Sequence, residues 1–452
     1  MRLRKTITTI VATAILLAGW QLFAVIANQP ELIPSLPRLV RTLCEWLVSG
    51  SFYQSVGATI FRGILGMSIS FVCAIGMAGL FARFEWVYEL FRPLLAIMRS
   101  IPVISFILLA LIFLNPESIP LMIAFLTMFP LLTENLTRGV LDLRPGLSIM
   151  ARQFHIKRSN VLFQIIYPQL KPFLYSGLAS AAGFGWRAII MGEVLSQCAF
   201  GIGSEMKRAQ NFIAVPELLA WTIVAVFISF FFDKGISKVA DITPKISFAN
   251  EDQTTPTPTL SVLDTKDISY QYGIQHFSHS FQKGIIYGIS APSGKGKTTL
   301  LNLIGGILLP TEGEIHPTRH FGIATIFQQP QLLPHLTAEE NIILPLSSFL
   351  TEEKARRIAQ KHLQEMEMEP FGNRYPKELS YGQQQRIAIA RALASPSPLL
   401  LMAEPFKGLD EALSHRIIER IREKQMKEER IILFTSHNPD EIRLLADEVI
   451  YL

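Results

Sequence analysis

Charge is scarce in this 452-residue chain: Asp, Glu, Lys and Arg make up 17% of it, against 49% apolar residues. A soluble domain carries about 25% charged residues, so a uniformly water-soluble globule is excluded. Acids are thinnest in the first two-fifths, whereas the stretch after residue 350 is dense in Lys, Arg and Glu. Cysteine is nearly missing. Cys44, Cys73 and Cys198 form no CxxC pair and have no histidine at ligand spacing, which argues against a disulfide framework or a zinc site. There is no long basic tail or basic–aromatic stripe, so the net charge of +5 does not point to nucleic acid. Basic residues gather instead beside apolar runs, at Arg2–Lys5, Lys157–Arg158 and Lys234–Lys238, as they do on the cytosolic flanks of membrane helices.

Crossing roughly 30 Å of hydrocarbon takes about 20 apolar residues. Six candidate spans meet that need: 7–27, 56–82, 94–114, 119–137, 173–198 and 212–232. The first follows Arg2, Arg4 and Lys5 and is read as an uncleaved membrane helix rather than a signal peptide. Its basic flank puts the N-terminus in the cytosol, and alternation puts loops 83–93 and 138–172, and everything after 233, on the same side. Loop 138–172 carries Arg138, Arg144, Arg152, Lys157, Arg158 and Lys171 against Asp142 alone. Within it, Leu147–Tyr167 has an amphipathic pattern that predicts one helix, broken by Pro168 and Pro172. Arg187 and Glu193 lie in or near the fifth span. Charges there either line or gate a solute path, or else form an internal ion pair or sit near the outer headgroups, and both readings stay open.

From Asp241 to Leu260 the apolar periodicity stops, and Thr254–Thr259 alternates Thr and Pro. Such a tract reads as a semi-extended tether between domains. Beyond it, Gly284–Ser290 predicts a buried strand that runs into Ala291-Pro292-Ser293-Gly294-Lys295-Gly296-Lys297-Thr298-Thr299 and then an apolar helix. Strand, glycine-rich turn, Gly-Lys-Thr and helix in that order form a phosphate-binding loop. Gly294 and Gly296 let backbone N–H groups approach the phosphates, with Ser293, Lys295 and Thr299 completing the loop. Lys297 reaches the β- and γ-phosphates, and Thr298 ligates Mg²⁺.

Leu379-Ser380-Tyr381-Gly382-Gln383-Gln384-Gln385-Arg386 closely resembles the signature segment of ATP-binding cassettes. Residues 50–235 resemble the binding-protein-dependent permeases of the nitrate/sulfonate/taurine type. The match rests on Arg99-Ser100-Ile101-Pro102, Gly183-Phe184-Gly185-Trp186-Arg187, Gly192-Glu193 and Gly201-Ile202-Gly203. It also rests on Ile149-Met150-Ala151, His155 and Ile165-x-Tyr167-Pro168 at the spacing of the family's loop motif, in which His155 stands where the family has Gly. The resemblance implies a multi-domain chain: an all-α six-span permease over 1–240, a linker over 241–260, and a C-terminally short α/β cassette with a P-loop NTPase fold over 261–452. A coupling helix would run over about 147–168, received by a helical subdomain at 329–378. It further implies Gln328 as the Q-loop residue that touches Mg²⁺ and the attacking water, and Tyr272 (or Tyr270) as the adenine-stacking aromatic. Glu404 would polarise the attacking water, Asp410 would belong to the D-loop, and His437 would be the switch histidine. Ser380, Gly382 and Gln383 would cap the γ-phosphate held by a second cassette.

In the cassette three positions depart from that pattern, Ala291 for the loop's first Gly, Tyr381 for a signature Gly, and Ala403 for the Mg²⁺-holding Asp before Glu404; in the permease loop motif Ile149, Met150, His155 and Tyr167 replace the family's Glu, first Ala, Gly and Leu. The resemblance therefore supports two expectations. One is an ATP- and Mg²⁺-dependent importer in the cytoplasmic membrane, multi-pass, with its cassette in the cytosol. It would work as a homodimer, or paired with a related half-transporter, and be fed by an extracytoplasmic solute-binding protein. The other is a poorly hydrolysing half that works beside a competent ATPase. An exporter is disfavoured because the 147–168 loop motif belongs to importers.

Overall fold

The computed structural model describes residues 2–240, 244–252, 260–271, 273–292, 294–317 and 322–452. It divides into two compact units: residues 1–143 with 169–243, and residues 144–168 with 244–452.

The first unit is helical throughout: Arg2–Ala27, Leu36–Trp46, Gly50–Arg83, Glu85–Ser100, Val103–Phe113, Ile119–Leu141, the part of Tyr167–Ser196 beyond Pro168, Ile202–Asn211 and Val215–Ala240. Its core rests on close approach of small residues. One face of Gly50–Arg83 buries Ser55, Thr59, Gly63, Gly66, Ser70, Ala74 and Ala78, spaced three or four apart. A Cβ on Gly66 would stand 2.6 Å from that of Ala124, so this helix and Ile119–Leu141 touch nearly backbone to backbone. Many large apolar side chains elsewhere, such as Ile15, Leu16, Val72, Ile112 and Phe231, are exposed, as on a lipid-facing surface.

Among the described residues six clear spans are not found. Four helical stretches are long and apolar enough to cross a membrane: Gly50–Arg83, Pro116–Leu141, Arg158–Ser196 and Val215–Ala240. A fifth is counted only if Glu85–Ser100 and Val103–Phe113, bent by 93° at the break, form one span. The bend falls at Ile101-Pro102: proline cannot donate to the turn before it, and it pushes the preceding residue out of helical geometry. The first predicted span, 7–27, falls within helix Arg2–Ala27, of which Val11–Ala27 is an apolar stretch among the described residues.

The second unit is an α/β domain. Its central sheet is parallel in the order β5 (Ile323–Ile326), β6 (Leu399–Ala403), β7 (Ile431–Thr435), β3 (Ile286–Ser290), β8 (Glu448–Tyr451). The middle strands are buried on both faces, which explains their unbroken apolar runs. A three-stranded antiparallel sheet, β2 (Ile274–Gln282), β1 (Val262–Tyr270), β4 (Glu312–His316), stands beside it. Helices Ala338–Leu346, Glu352–Glu365 and Tyr381–Ala394 form a helical subdomain. Residues 244–252, part of the stretch read as a tether, belong to this unit. Ile246 and Phe248 pack on its core, Ala249 N–H donates to the Ser347 carbonyl at 3.0 Å, and Asp252 accepts from Thr351.

The single helix expected over Leu147–Tyr167 is broken in two. Pro145–Gln153 is one helix, His155 sits in left-handed geometry (φ 50°), and helix resumes at Arg158. Pro168 and Pro172 break nothing: a π-helical turn at Val161–Ile166 runs directly into Tyr167–Ser196. The break falls at His155 because Phe154 and Ile156, on either side of it, are both buried in the cassette core.

Candidate functional site

The parallel sheet gathers the catalytic candidates at one edge. β3 leads into the glycine-rich loop, and its neighbour β7 leads to His437. The next strand, β6, leads to Glu404, and β5 leads to Gln328. Residues that follow the carboxyl ends of adjacent parallel strands converge where such folds bind ligands.

The loop has the backbone a phosphate requires. Gly294 (φ 83°) and Gly296 (φ 89°) are left-handed, and a Cβ on Gly296 would stand 2.6 Å from the Gly273 carbonyl oxygen. Helix Lys297–Ile304 starts there and aims its free N–H groups at the loop. Lys297 is buried, and its ammonium donates to the Ala291 carbonyl at 2.6 Å, a bond that phosphate oxygens would replace. Lys295, Thr298 and Thr299 complete the turn, with Thr298 exposed. These features fit a nucleotide triphosphate. Ser293 and Tyr272 lie outside the described residues; Tyr270 is half-buried on β1.

Glu404 follows β6 in left-handed geometry (φ 48°), its N–H bonded to the Thr435 carbonyl at 3.1 Å. Its carboxylate is 3.2 Å from His437 Nε2 and 3.5 Å from Lys407 Nζ. Below them Ser436 donates to Glu441, whose carboxyl is pushed up by burial and by the nearby charge of Glu404. Along β6, Leu399, Leu401 and Ala403 share the core with Leu300, Leu303 and Ile304 of the loop's own helix, while Leu400 and Met402 face the opposite core. Ala403 therefore points toward the phosphate side, where the family's Asp would stand, and offers no oxygen. Thr298 and Gln328, the other two residues expected to face Mg²⁺, are both exposed. Among the described residues no cluster of three His, Cys, Asp or Glu is placed to hold a metal.

The signature residues form a second group. Ser380 caps Tyr381–Ala394: its hydroxyl accepts from Gln383 N–H at 3.3 Å, and the Gln383 side chain accepts from Ser380 N–H at 2.9 Å. Gly382 packs so tightly on Gly408 that a Cβ would stand 2.5 Å from its carbonyl oxygen. Asp410 caps Glu411–Glu428 by accepting from Leu413 N–H at 2.9 Å. Among the described residues no hydrogen bond joins Ser380, Gly382 or Gln383 to the glycine-rich loop of the same chain. What does link the groups is Tyr381, whose hydroxyl donates to the Gln328 carbonyl at 2.9 Å.

Motif reading missed Arg391. It is fully buried, donates to the carbonyls of Pro330 and Gln331 at 2.8 Å, and lies over the Phe154 ring at 5.3 Å. Burial pushes its guanidinium down to about 10. The only hint in the sequence was an arginine on an otherwise apolar helix face.

In the helical unit, Glu193 is an ion-pair residue. It is fully buried and takes hydrogen bonds from Thr59, from Arg62 at 2.8 Å and from Gly203 N–H at 2.9 Å, while Arg62 also bonds Glu117 at 2.6 Å. Arg187 makes no such bond among the described residues. It lines two apolar clefts of about 420 and 710 Å³ together with Trp186 and Ser229.

Two family models match the chain. The model described as a binding-protein-dependent transport system inner membrane component matches residues 66–233, and the one described as ABC transporter matches residues 274–407. The thiamine import ATP-binding protein ThiQ of Yersinia pseudotuberculosis is 34% identical over 205 residues, 42% of this chain and 86% of the relative. An uncharacterized ABC transporter ATP-binding protein of Methanocaldococcus jannaschii is 34% identical over 201 residues, 40% of this chain and 85% of the relative. The Fe(3+) ions import ATP-binding protein FbpC of Rhizobium etli is 35% identical over 189 residues, 40% of this chain, and the chain spans only 54% of that relative's length. The chain belongs to the ABC transporter family, a permease domain fused to an ATPase domain.

Proposed function

We propose that the chain imports a small solute across the cytoplasmic membrane, driven by ATP hydrolysis in its own cassette, with its permease of the nitrate/sulfonate/taurine type. Two copies, or one copy and a related half-transporter, meet so that the loop around Lys297 of each faces Ser380 and Gly382 of the other. A solute-binding protein outside the membrane delivers the cargo. Mg²⁺ bound with the triphosphate would neutralise charge on the transferring phosphoryl group. Lys297 and the helix N-terminus would hold the phosphates, Thr298 and Gln328 would hold the metal, Glu404 would take the proton of the attacking water, and His437 would contact Glu404 and the γ-phosphate.

The observation that carries this reading is the placement of residues 144–168. Flanked by apolar helices on both sides in sequence, they bury Leu147, Met150, Phe154, Ile156 and Ile165 in the cassette core. A permease loop embedded this way transmits cassette closure to the membrane helices. Ala403 supports the second reading, a weakly hydrolysing half beside a competent ATPase, because no carboxylate holds the metal there. Mg²⁺-dependent ATPase of the purified full chain, compared with Glu404→Gln, decides between them. Loss of about 100-fold or more in the variant is expected for a working site, whereas equal background rates refute hydrolysis by this chain alone.

A further inference from the structure

Gln153 does not behave as a surface residue of a membrane-flanking loop. It is 4% exposed, and its side-chain amide donates to the Gly305 carbonyl at 2.7 Å. Gly305 caps the far end of helix Lys297–Ile304, the helix whose first turn forms the phosphate site. The last carbonyls of a helix have no partner within it and carry its negative pole, so an amide donor there fixes the end of the rod. The rod has no slack at that point: a Cβ on Gly305 would stand 3.0 Å from both the Leu301 carbonyl and a Leu401 methyl. Leu401 in turn belongs to β6, two residues before Ala403. The other half of the same amide, Gln153 Oε1, is buried with no hydrogen-bond partner among the described residues. A buried orphan acceptor is unfavourable and marks a group whose geometry is held for another reason.

We infer that Gln153 is a positioning residue that ties the intracellular loop directly to the phosphate-binding helix. This contact is separate from that of the neighbouring Phe154, which lies under Arg391 and so reaches Pro330 and Gln331 beyond Gln328. Phosphate occupancy shifts or stiffens the eight-residue helix, and Gln153 passes that change to Pro145–Gln153. By reciprocity, movement of the loop changes nucleotide affinity by the same factor. The inference rests on nucleotide binding at Lys297 and adds to it the route by which binding is felt at the permease loop.

The test is amide hydrogen exchange on the full chain in lipid nanodiscs, with and without Mg²⁺ and the non-hydrolysable analogue β,γ-imido-ATP. In the wild type the analogue is expected to slow exchange in the loop 291–299 and, by about five-fold, in 145–153, the lower end of ordinary coupling. Gln153→Met keeps the volume and removes both the donor and the orphan acceptor. Protection of 291–299 should persist in it, while the response of 145–153 falls below two-fold. Gln153→Asn, too short to reach Gly305, should behave the same way and serves if the Met variant fails to fold. A response of 145–153 equal to wild type in either folded variant overturns the inference. Absence of protection at 291–299 in the wild type would instead overturn nucleotide binding itself.

Discussion

Restoring a carboxylate at position 403 tests the geometry of the metal position. Ala403 is 7% exposed, pairs in register with Thr435, and alternates with Leu399 and Leu401 onto the core that contains the phosphate helix. An aspartate there would aim its oxygens at the Lys297–Thr298 side. Without metal, that carboxylate is buried among leucines, its ionised form is disfavoured, and the cassette should lose stability on the order of 1–3 kcal/mol. With Mg²⁺–ATP the same oxygens hold the metal's water shell, a role worth roughly 10–100-fold in metal affinity, or about 1.4–2.7 kcal/mol. Ala403→Asp should therefore melt lower than wild type in chelator and gain more than wild type on adding Mg²⁺–ATP. In an ATPase titration at fixed ATP, its half-saturating Mg²⁺ should fall by about 10-fold or more. A folded Ala403→Asp chain with an unchanged Mg²⁺ midpoint and no added thermal gain would refute the placement of this side chain on the phosphate side.

Two further outcomes follow from buried charge. Burial, with the charges of Lys424, Lys361 and Arg430 adding to it, holds His362 down to about 3 from an ordinary 6.5, and it accepts from Lys424 at 3.1 Å. Its unfolded form gains a proton below about pH 6.5 that the folded form refuses, so its contribution is intact above that pH and is lost as pH falls. Between about pH 6.5 and 5.5 the cassette should lose roughly 1 kcal/mol. Denaturant melts across that range check this, and His362→Leu should flatten the slope; an unflattened slope counts against the assignment. In the helical unit, Glu193→Ala strips acceptors from Thr59, Arg62 and Gly203 N–H at once and should cost about 3–5 kcal/mol. Glu193→Gln, which keeps an acceptor, should cost less. Equal thermal inactivation of both variants and wild type in detergent would contradict the buried network.

Much of the local structure around the candidate site was legible in the sequence because its determinants are local. Gly294 and Gly296 need left-handed backbone, Ser380 caps its own helix, and β6 and β7 are buried on both faces, so each reads as an apolar run. The membrane spans were legible only in part. Apolar length marks a span, but it does not reveal that Ile101-Pro102 turns the chain by 93° between Glu85–Ser100 and Val103–Phe113. Glu193 was left between two roles because its cation, Arg62, lies 131 residues earlier.

The loop 144–168 was misread for a related physical reason. Its amphipathic pattern predicts one helix, yet three of its polar residues, Gln153, Asn160 and Gln164, are buried while Arg152, Lys157 and Arg158 are exposed. Gln153 donates to Gly305, Asn160 to Ser347 Oγ and the Ser247 carbonyl at 2.8 Å, and Gln164 to the Pro244 carbonyl at 3.0 Å. Each acceptor lies 80 to 187 residues along the chain. An amide that finds a carbonyl there can be buried as fully as a leucine, and periodicity cannot separate it from one that faces solvent. The same distant contacts set the break at His155. A left-handed histidine costs on the order of 1 kcal/mol locally, less than burying Phe154 and Ile156 on either side of it returns, so tertiary docking overrides the local helical preference. A loop whose helix is broken to fit the cassette, and whose three buried amides all donate into it, is held as part of that domain. Movement of the cassette must therefore carry the loop with it.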